Sequence, residues 1–397
     1  MKSGDAITSE QIAPEGEYPV FGGGGLRGYT SSFTHEGEYA LIGRQGALCG
    51  NVNYGSGKFW ASEHAVVVAP SRSLDTRWLG ETLRTMNLNQ YSVSAAQPGL
   101  SVDSVSRLEV AVPPLTEQHA ISAFLDRETA KIDALIAEQE RLVALLDEKR
   151  QAVITQAVTK GLDPTVPMKD SGVEWLPRVP AHWGVVKLKH IVRSIEQGWS
   201  PQCEADAVED GSAWAVLKVG CVNGGVFRPE ENKRLPDALE PAPSLSVRRG
   251  DLLISRANTR ELVGSAAVVE EDHPQLMLSD KLYRLRLDDA DHTPRFLAFF
   301  LRSSAIRGRI ELMASGASAS MLNISQDAIL EQTVPLPPIA ERATIVDALE
   351  RELRERAELA RTIERAVCLL RERRTALISA AVTGQIDVRD LVEAKAA

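Results

Sequence analysis

The chain has 397 residues, of which 44% are hydrophobic and 25% charged, with a formal net charge of −9. That length accommodates two domains or three with real cores. The acidic balance excludes a uniformly basic nucleic-acid binder: residues 1–112 carry about 8 Lys and Arg against 11 Asp and Glu, and residues 175–336 about 19 against 21, so a DNA-binding face has to be a local patch.

The opening MKSGDAITSEQ has no apolar core of the kind a signal peptide needs. No run approaches the ~20 apolar residues that cross a bilayer, and a cytoplasmic protein is expected. Four glycines in PVFGGGGLRGY (19–29) invite a phosphate-loop reading, but no Gly-Lys-Ser/Thr follows and Rossmann spacing is absent; a flexible turn is expected there. Next come EGEYALIGRQG (36–46) and KFWASEHAVVV (58–68), short apolar strands separated by turn residues. The first ends in a polar tip, Gly43-Arg44-Gln45. The first region closes with QPGLSVDSVSRLEVAVPPL (97–115).

Pro113-Pro114 block any helix from extending inward, and neither Pro nor Gly recurs until Gly161. The spacing therefore predicts one helix of roughly 65 Å at ~1.5 Å per residue. Leu125, Ile132, Leu146 and Val153 fall seven or fourteen apart, and Leu135 and Leu142 are expected to fill the other seam of an a/d-like stripe. Gln139 interrupts it. The segment 159–183 is rich in turn residues and reads as a linker.

The pattern then repeats. RRGDLLISRAN (248–258) and LMLSDKLYRLR (276–286) are counterparts of the two earlier strands, with Ser255-Arg256-Ala257-Asn258 at the polar tip and Ser279-Asp280 where the first half has Ser62-Glu63. Helices are expected within PRFLAFFLRSSAIRGRIELM (294–313). MLNISQDAILEQTVPLPPI (321–339) matches the stretch before the first prolines. The following segment aligns with residues 113–163 without a gap, at an offset of 224, with about 21 of 51 positions identical. One large offset implies duplication of a domain-sized unit rather than a solenoid. The second helix carries Leu349, Ile363, Leu370 and Leu377 in matching register, interrupted by Arg356. Two related amphipathic helices in one chain are expected to pack on each other, antiparallel, as a rigid spacer.

This order of elements is specific: domain, PPLTEQ, long helix, Gly-Leu-Asp, SGVEWLPRVPAHWGVVKLKHIV, domain, PPIAER, long helix. It resembles the specificity subunit of type I restriction–modification systems over essentially the whole chain. The resemblance implies an α+β protein with two mixed α/β target-recognition domains separated by two long antiparallel helices, a coiled-coil spacer with pseudo-two-fold symmetry. The expected divisions are 1–112 and 183–336 for the recognition domains and 113–160 and 337–383 for the spacer helices. Residues 161–182 form the linker and 384–397 a C-terminal tail. The second domain opens with HWGVVKLKHIVRSIEQG (182–198), whereas Met1 aligns near the end of that segment; roughly twenty residues of the first domain are expected to be absent, either because the start is misassigned or because this copy is shortened.

The resemblance further implies a bipartite double-stranded DNA target, two adenine-methyltransferase subunits as partners, and ATP-dependent motor-nuclease subunits beyond them. S-adenosylmethionine, ATP and magnesium are expected on those partners, and no cofactor, metal or catalytic residue in this chain. Side chains at the polar tips would read bases, since Arg pairs with guanine and Asn or Gln with adenine in the major groove. The candidates are Arg44 and Gln45 in the first domain and Arg256, Asn258 and Arg260 in the second, with Lys281 and Asn323 as weaker additions. Cys49, Cys203, Cys221 and Cys368 are too scattered for a zinc site. His64, His119 and His182 lie in no catalytic motif. The alternative is a coiled-coil scaffold that binds proteins only, which the acidic charge favours.

Overall fold

The computed structural model describes residues 1–92, 99–203, 206–208, 211–288, 292–318 and 321–389. In chain order the helices are α1 (Thr76–Thr85), α2 (Val102–Ser106), α3 (Leu115–Lys160), α4 (His292–Arg302), α5 (Ser304–Met313), α6 (Gln326–Leu330) and α7 (Ile339–Val382). The two long helices, α3 of 46 residues and α7 of 44, each begin immediately after a Pro-Pro pair, because proline cannot continue a helix inward but tolerates its first turn. The chain divides into two compact units, residues 1–141 with 363–397 and residues 142–362, so the division falls inside both long helices.

In the first unit, one four-stranded antiparallel sheet has the order Lys2–Ser3, Ala65–Val68, Tyr39–Gly43, Val52–Gly55. A second sheet orders Gly25–Thr30, Tyr18–Gly22, Lys58–Ala61 and His35–Glu36. Alternation along Tyr39–Gly43 sends Ala40 and Ile42 to one face and Leu41 to the other. Leu41 joins Phe59, Ala61 and Val67 in a small core. Ala40 and Ile42 pack with Trp78 of α1, with Ile121, Phe124 and Leu125 from the start of α3, and with Ile378, Ala381 and Val382 from the end of α7. The long helices are antiparallel here: Arg374 pairs with Asp133 (2.8 Å) and Arg371 with Glu140 (2.9 Å).

The second unit repeats this plan. Its first sheet orders Val192–Gln197, Leu282–Leu287, Leu252–Ser255 and Ala266–Val268; another orders Asn232–Arg234, Ala215–Leu217, His273–Met277 and Ser246–Val247. The main core joins Leu252, Ile254 and Leu285 to Phe296 and Phe300 of α4, to Ile345 and Leu349 from the start of α7, and to Ile154, Ala157 and Val158 from the end of α3. Ser303 separates α4 from α5, its hydroxyl donating to the Phe300 carbonyl (2.7 Å). Residues read from sequence as a linker contain a small antiparallel pair, Met168–Asp170 with Arg178–Pro180. Leu176, Val179 and Trp183 are buried there.

Equivalent contacts fasten each head to its helix. Gln118 donates to the Pro113 carbonyl (2.9 Å) and accepts from the backbone of Asp75, the N-cap of α1. Arg342, 224 residues on, donates to the Pro337 carbonyl (2.8 Å) and to Thr293 in the first turn of α4. Arg77 of α1 pairs with Asp126 (3.0 Å), and Arg295 of α4 with Glu350 (3.5 Å), again an offset of 224 along the long helices. The sixth residue of each PPLTEQ-type motif thus ties the helix start to its head.

One expectation fails. Leu135 and Leu142, assigned to the second seam, are 51% and 39% exposed. At ~100° per residue they lie about 60–80° around α3 from the buried Ile132, off the single stripe that the packing uses. Arg356, which breaks the pattern in α7, donates to Glu352 one turn earlier (3.2 Å). Among the described residues no helix is long and apolar enough to cross a membrane.

Candidate nucleic-acid interface

The strongest likeness between the two units lies at the strand tips. In the first unit the strand Tyr39–Gly43 delivers Arg44. Its backbone N–H donates to the His64 carbonyl (2.8 Å), and its carbonyl accepts from the Leu100 N–H (2.9 Å). In the second, Leu252–Ser255 delivers Arg256, whose N–H donates to the Lys281 carbonyl (2.8 Å) and whose carbonyl accepts from the Ile324 N–H (3.0 Å). Leu100 and Ile324 each precede a serine that caps a short helix: Ser101 accepts from the Ser104 N–H (3.4 Å) and Ser325 from the Ala328 N–H (3.1 Å). Each arginine is therefore pinned by its backbone between two loops, with its side chain left to other work.

A third strand closes each tip through a glycine. A Cβ on Gly4 would lie 2.1 Å from the Ala61 carbonyl oxygen, and one on Gly198 would lie 2.0 Å from that of Leu278. No other residue fits so close an approach. The following residues, Asp5 and Trp199, donate backbone N–H groups to those same carbonyls at 2.9 and 3.1 Å.

At the first tip Arg44 is half-buried and Gln45 exposed, the latter bridging to Gly99. The run Gly22–Gly25 turns the neighbouring hairpin against this tip: a Cβ on Gly43 would meet the Gly23 carbonyl oxygen at 2.4 Å. That approach requires glycine at position 43, while Gly25, with φ +107°, takes a backbone conformation that favours glycine.

At the second tip the structure brings together Arg256, Asn258, Lys281 and Asn323. Ala257–Asn258 pairs with Met321–Asn323, Ala257 opposite Asn323. Arg256 Nη1 reaches the Asp280 carbonyl (3.3 Å). Lys281 is exposed, as is Arg260 in the next turn. Asn258 is already occupied: its Oδ1 accepts from the Thr259 N–H (2.9 Å), and its amide donates to Ser255 Oγ (3.3 Å) and Asn223 Oδ1 (3.2 Å). Among the described residues the side chains of Arg44, Arg260 and Lys281 form no ion pair within 4 Å, and those of Arg260 and Lys281 are exposed. Sequence reasoning missed Asn223, 35 residues from its partner with no local signal. It also missed Trp199, 38% exposed beside Ser200, whose hydroxyl bonds the Asp280 carboxylate. The Gln197-Gly198 landmark could have pointed to Trp199. Among the described residues no cluster of His, Cys, Asp and Glu could hold a metal.

Two β-rich heads, each presenting a cationic polar tip on the same backbone frame and each sharing its core with paired long helices, define a duplicated, two-headed α+β protein. Comparison with known proteins places it more narrowly. The model of the type I restriction modification DNA specificity domain matches residues 1–143. The EcoprrI specificity subunit of Escherichia coli is 46% identical over 131 residues, 32% of this chain and 33% of that protein. The EcoKI specificity subunit of Escherichia coli (strain K12) is 24% identical over 309 residues, 76% of this chain and 63% of that protein. The chain thus spans between a third and just under two thirds of the length of these relatives. The fold matches a chain in a solved type I R-M structure with a TM-score of 0.68 at 18% identity, over 89% of this chain and 83% of that one. It matches the HsdS subunit from Thermoanaerobacter tengcongensis with a TM-score of 0.51 at 18% identity, over 89% and 82%. Residues 1–143 thus match the type I restriction modification DNA specificity domain, and the chain has the fold of these solved type I R-M structures.

Proposed function

We propose that this chain is the non-catalytic subunit that reads a bipartite double-stranded DNA target for a type I restriction–modification complex. It directs adenine methylation and ATP-dependent cleavage by partner subunits. The observation that carries the reading is the duplicated tip, Arg44 and Arg256 held by matching pairs of backbone hydrogen bonds. Rigidly framed cations with neighbouring amides suit base edges in a major groove. Arg44 and Gln45 would read one half-site, and Arg256, Arg260, Lys281 and Asn323 the other, with Asn258 holding the second tip in shape. The long helices would set the spacing between the halves.

S-adenosylmethionine, ATP and magnesium would be bound by two methyltransferase subunits and the motor-nuclease subunits. Exposed leucines recur at matching places on both long helices, Leu135 with Leu359 and Leu145 with Leu369, 39–58% exposed together with Leu142. Isolated exposed leucines are ordinary, but the same pair repeated at an offset of 224 suits two copies of one partner. The test is purification with and without an adenine methyltransferase partner. Sequence-specific adenine methylation at a split motif, only when both proteins are present, supports the reading. Methylation by this chain alone, or protein complexes that never retain DNA at low salt, refutes it.

A further inference from the structure

An open cavity of about 390 Å³ in the second unit is lined by three arginines from different elements: Arg150 on α3, Arg302 at the end of α4 and Arg307 on α5. They are not alike in what they do. Arg307 is spent on the turn beneath it, donating to the carbonyls of Val263 (2.7 Å), Glu261 (3.1 Å) and Arg260 (3.4 Å). Arg302 forms no hydrogen bond or ion pair among the described residues. Its guanidinium lies over the Phe299 ring (5.8 Å) and against Gly225, where an added Cβ would come within 2.3 Å of Nη1. Among the described residues Arg150 has Asp147 alone as an ionic partner, at 3.8 Å. Glu261 also lines the cavity, but its side chain is exposed.

Arg302 is thus a largely buried cation facing a second cation, and burial together with Arg150 pushes it down to about 10. Such a group is costly to keep unless something anionic completes it. The planar fork of a guanidinium matches phosphate oxygens, and a second arginine across an open cleft adds charge to the same oxygens. The cavity also adjoins the second tip. Gly224 and Gly225 form part of its wall, and the preceding residue, Asn223, is hydrogen-bonded to Asn258.

We propose that Arg302 and Arg150 form a phosphate-binding cleft that takes a backbone phosphate of the DNA strand lying along the second tip. This rests on the DNA-recognition reading above. Phosphate contacts position a protein on its duplex without specifying sequence, so the cleft would anchor what Arg256 and its neighbours read.

The full-length chain is titrated with labelled duplexes of several sequences across a range of salt concentrations, alongside Arg302→Gln, Arg150→Gln and Arg302→Lys. Each neutral variant should weaken binding about three- to tenfold for every sequence alike, and lower the slope of log K against log salt by about 0.9 for each phosphate no longer neutralised. Arg302→Lys should keep most of the slope. Melting temperatures of the neutral variants should equal or exceed that of the parent, because a like-charge repulsion is removed. If both neutral variants bind DNA with the parent's slope, the cleft assignment falls while sequence recognition stands. If the parent holds no duplex at low salt, the recognition reading falls and the DNA assignment with it. A parallel titration with inorganic phosphate distinguishes the sources: stabilisation of the parent but not of Arg302→Gln, with an unchanged DNA slope, would make the ligand a free anion and overturn the proposal.

Discussion

Both long helices serve two cores, and truncation at two points of one helix tests this. Leu125 and Ile154 both lie on α3 and both are fully buried, but Leu125 packs in the first unit and Ile154 in the second. Either residue changed to alanine loses three buried carbons, about 2.4 kcal/mol at ~0.8 kcal/mol per methylene. The cavity left behind adds roughly another 1 kcal/mol, so each variant should lose about 3–4 kcal/mol. For units of this size that lowers the melting temperature by about 10 °C. Hydrogen exchange read by mass spectrometry locates the loss. Leu125→Ala should speed exchange in the strands Tyr39–Gly43 and Ala65–Val68 and at the end of α7, and spare Leu252–Ser255 and Leu282–Leu287. Ile154→Ala should do the reverse. A loss below ~1 kcal/mol, or equal loosening of both sets of strands by either variant, would sink the assignment of the helix ends to separate cores.

Glu81 is fully buried and accepts from the Tyr54 hydroxyl (3.0 Å) while pairing with Arg77 (2.9 Å) and Arg84 (3.2 Å). Glu81→Leu should cost about 2–4 kcal/mol in urea unfolding, the lower part of the range for a broken buried pair because both arginines are partly solvated. Gly198→Ala forces a Cβ into the Leu278 carbonyl; it should cost about 2–3 kcal/mol, shift the emission of the neighbouring Trp199, and weaken DNA binding more than it lowers overall helicity by circular dichroism. Lys187 and Lys189, each 2.6 Å from Glu331, hold that carboxyl down to about 2. A depressed folded-state value stabilises above the ordinary glutamate value of ~4.3, and that stabilisation disappears as pH falls toward 2. The melting-temperature gap between the parent and Glu331→Gln should therefore be constant from about pH 5 to 8 and close between about pH 4 and 2.

The long helices were legible because their signals are local and strong. Pro-Pro pairs, forty residues without a breaker and a repeated apolar stripe leave few alternatives. Which stripe is buried was less legible: Leu135 and Leu142 suit a coiled-coil seam by spacing, but burial follows the heads, which claim Ile121 and Leu125 at one end and Ile154 and Val158 at the other. The tip arginines stand out in sequence because each directly follows a short strand that ends in Gly or Ser in both halves. The Asn223–Asn258 bond joins positions 35 residues apart, and the placing of Arg302 opposite Arg150 joins positions 152 apart, which no local pattern encodes. The glycine run 22–25 has the local signature of a turn and forms one between Tyr18–Gly22 and Gly25–Thr30, whereas the need for glycine at position 43, set by the packed carbonyl of Gly23, has no local signal.

A duplicated head has to solve a conflict if it reads two different half-sites: the frame must stay the same while the surface changes. The two tips separate these demands chemically. The frame is made by backbone groups, with Arg44 and Arg256 bonded between the same pair of loops and Gly4 and Gly198 closing each tip against a carbonyl. Apart from the two glycines, none of those bonds depends on which side chain the pinned residue or its partners carry. Positions that differ between the halves include outward-facing ones: Asp5 against Trp199, and His64 against Lys281. Exchanges at such positions usually change stability by less than about 0.5 kcal/mol, whereas removing one bidentate contact to a base costs about 1–3 kcal/mol. Specificity in one half can therefore drift by more than the fold registers, and the other half need not respond.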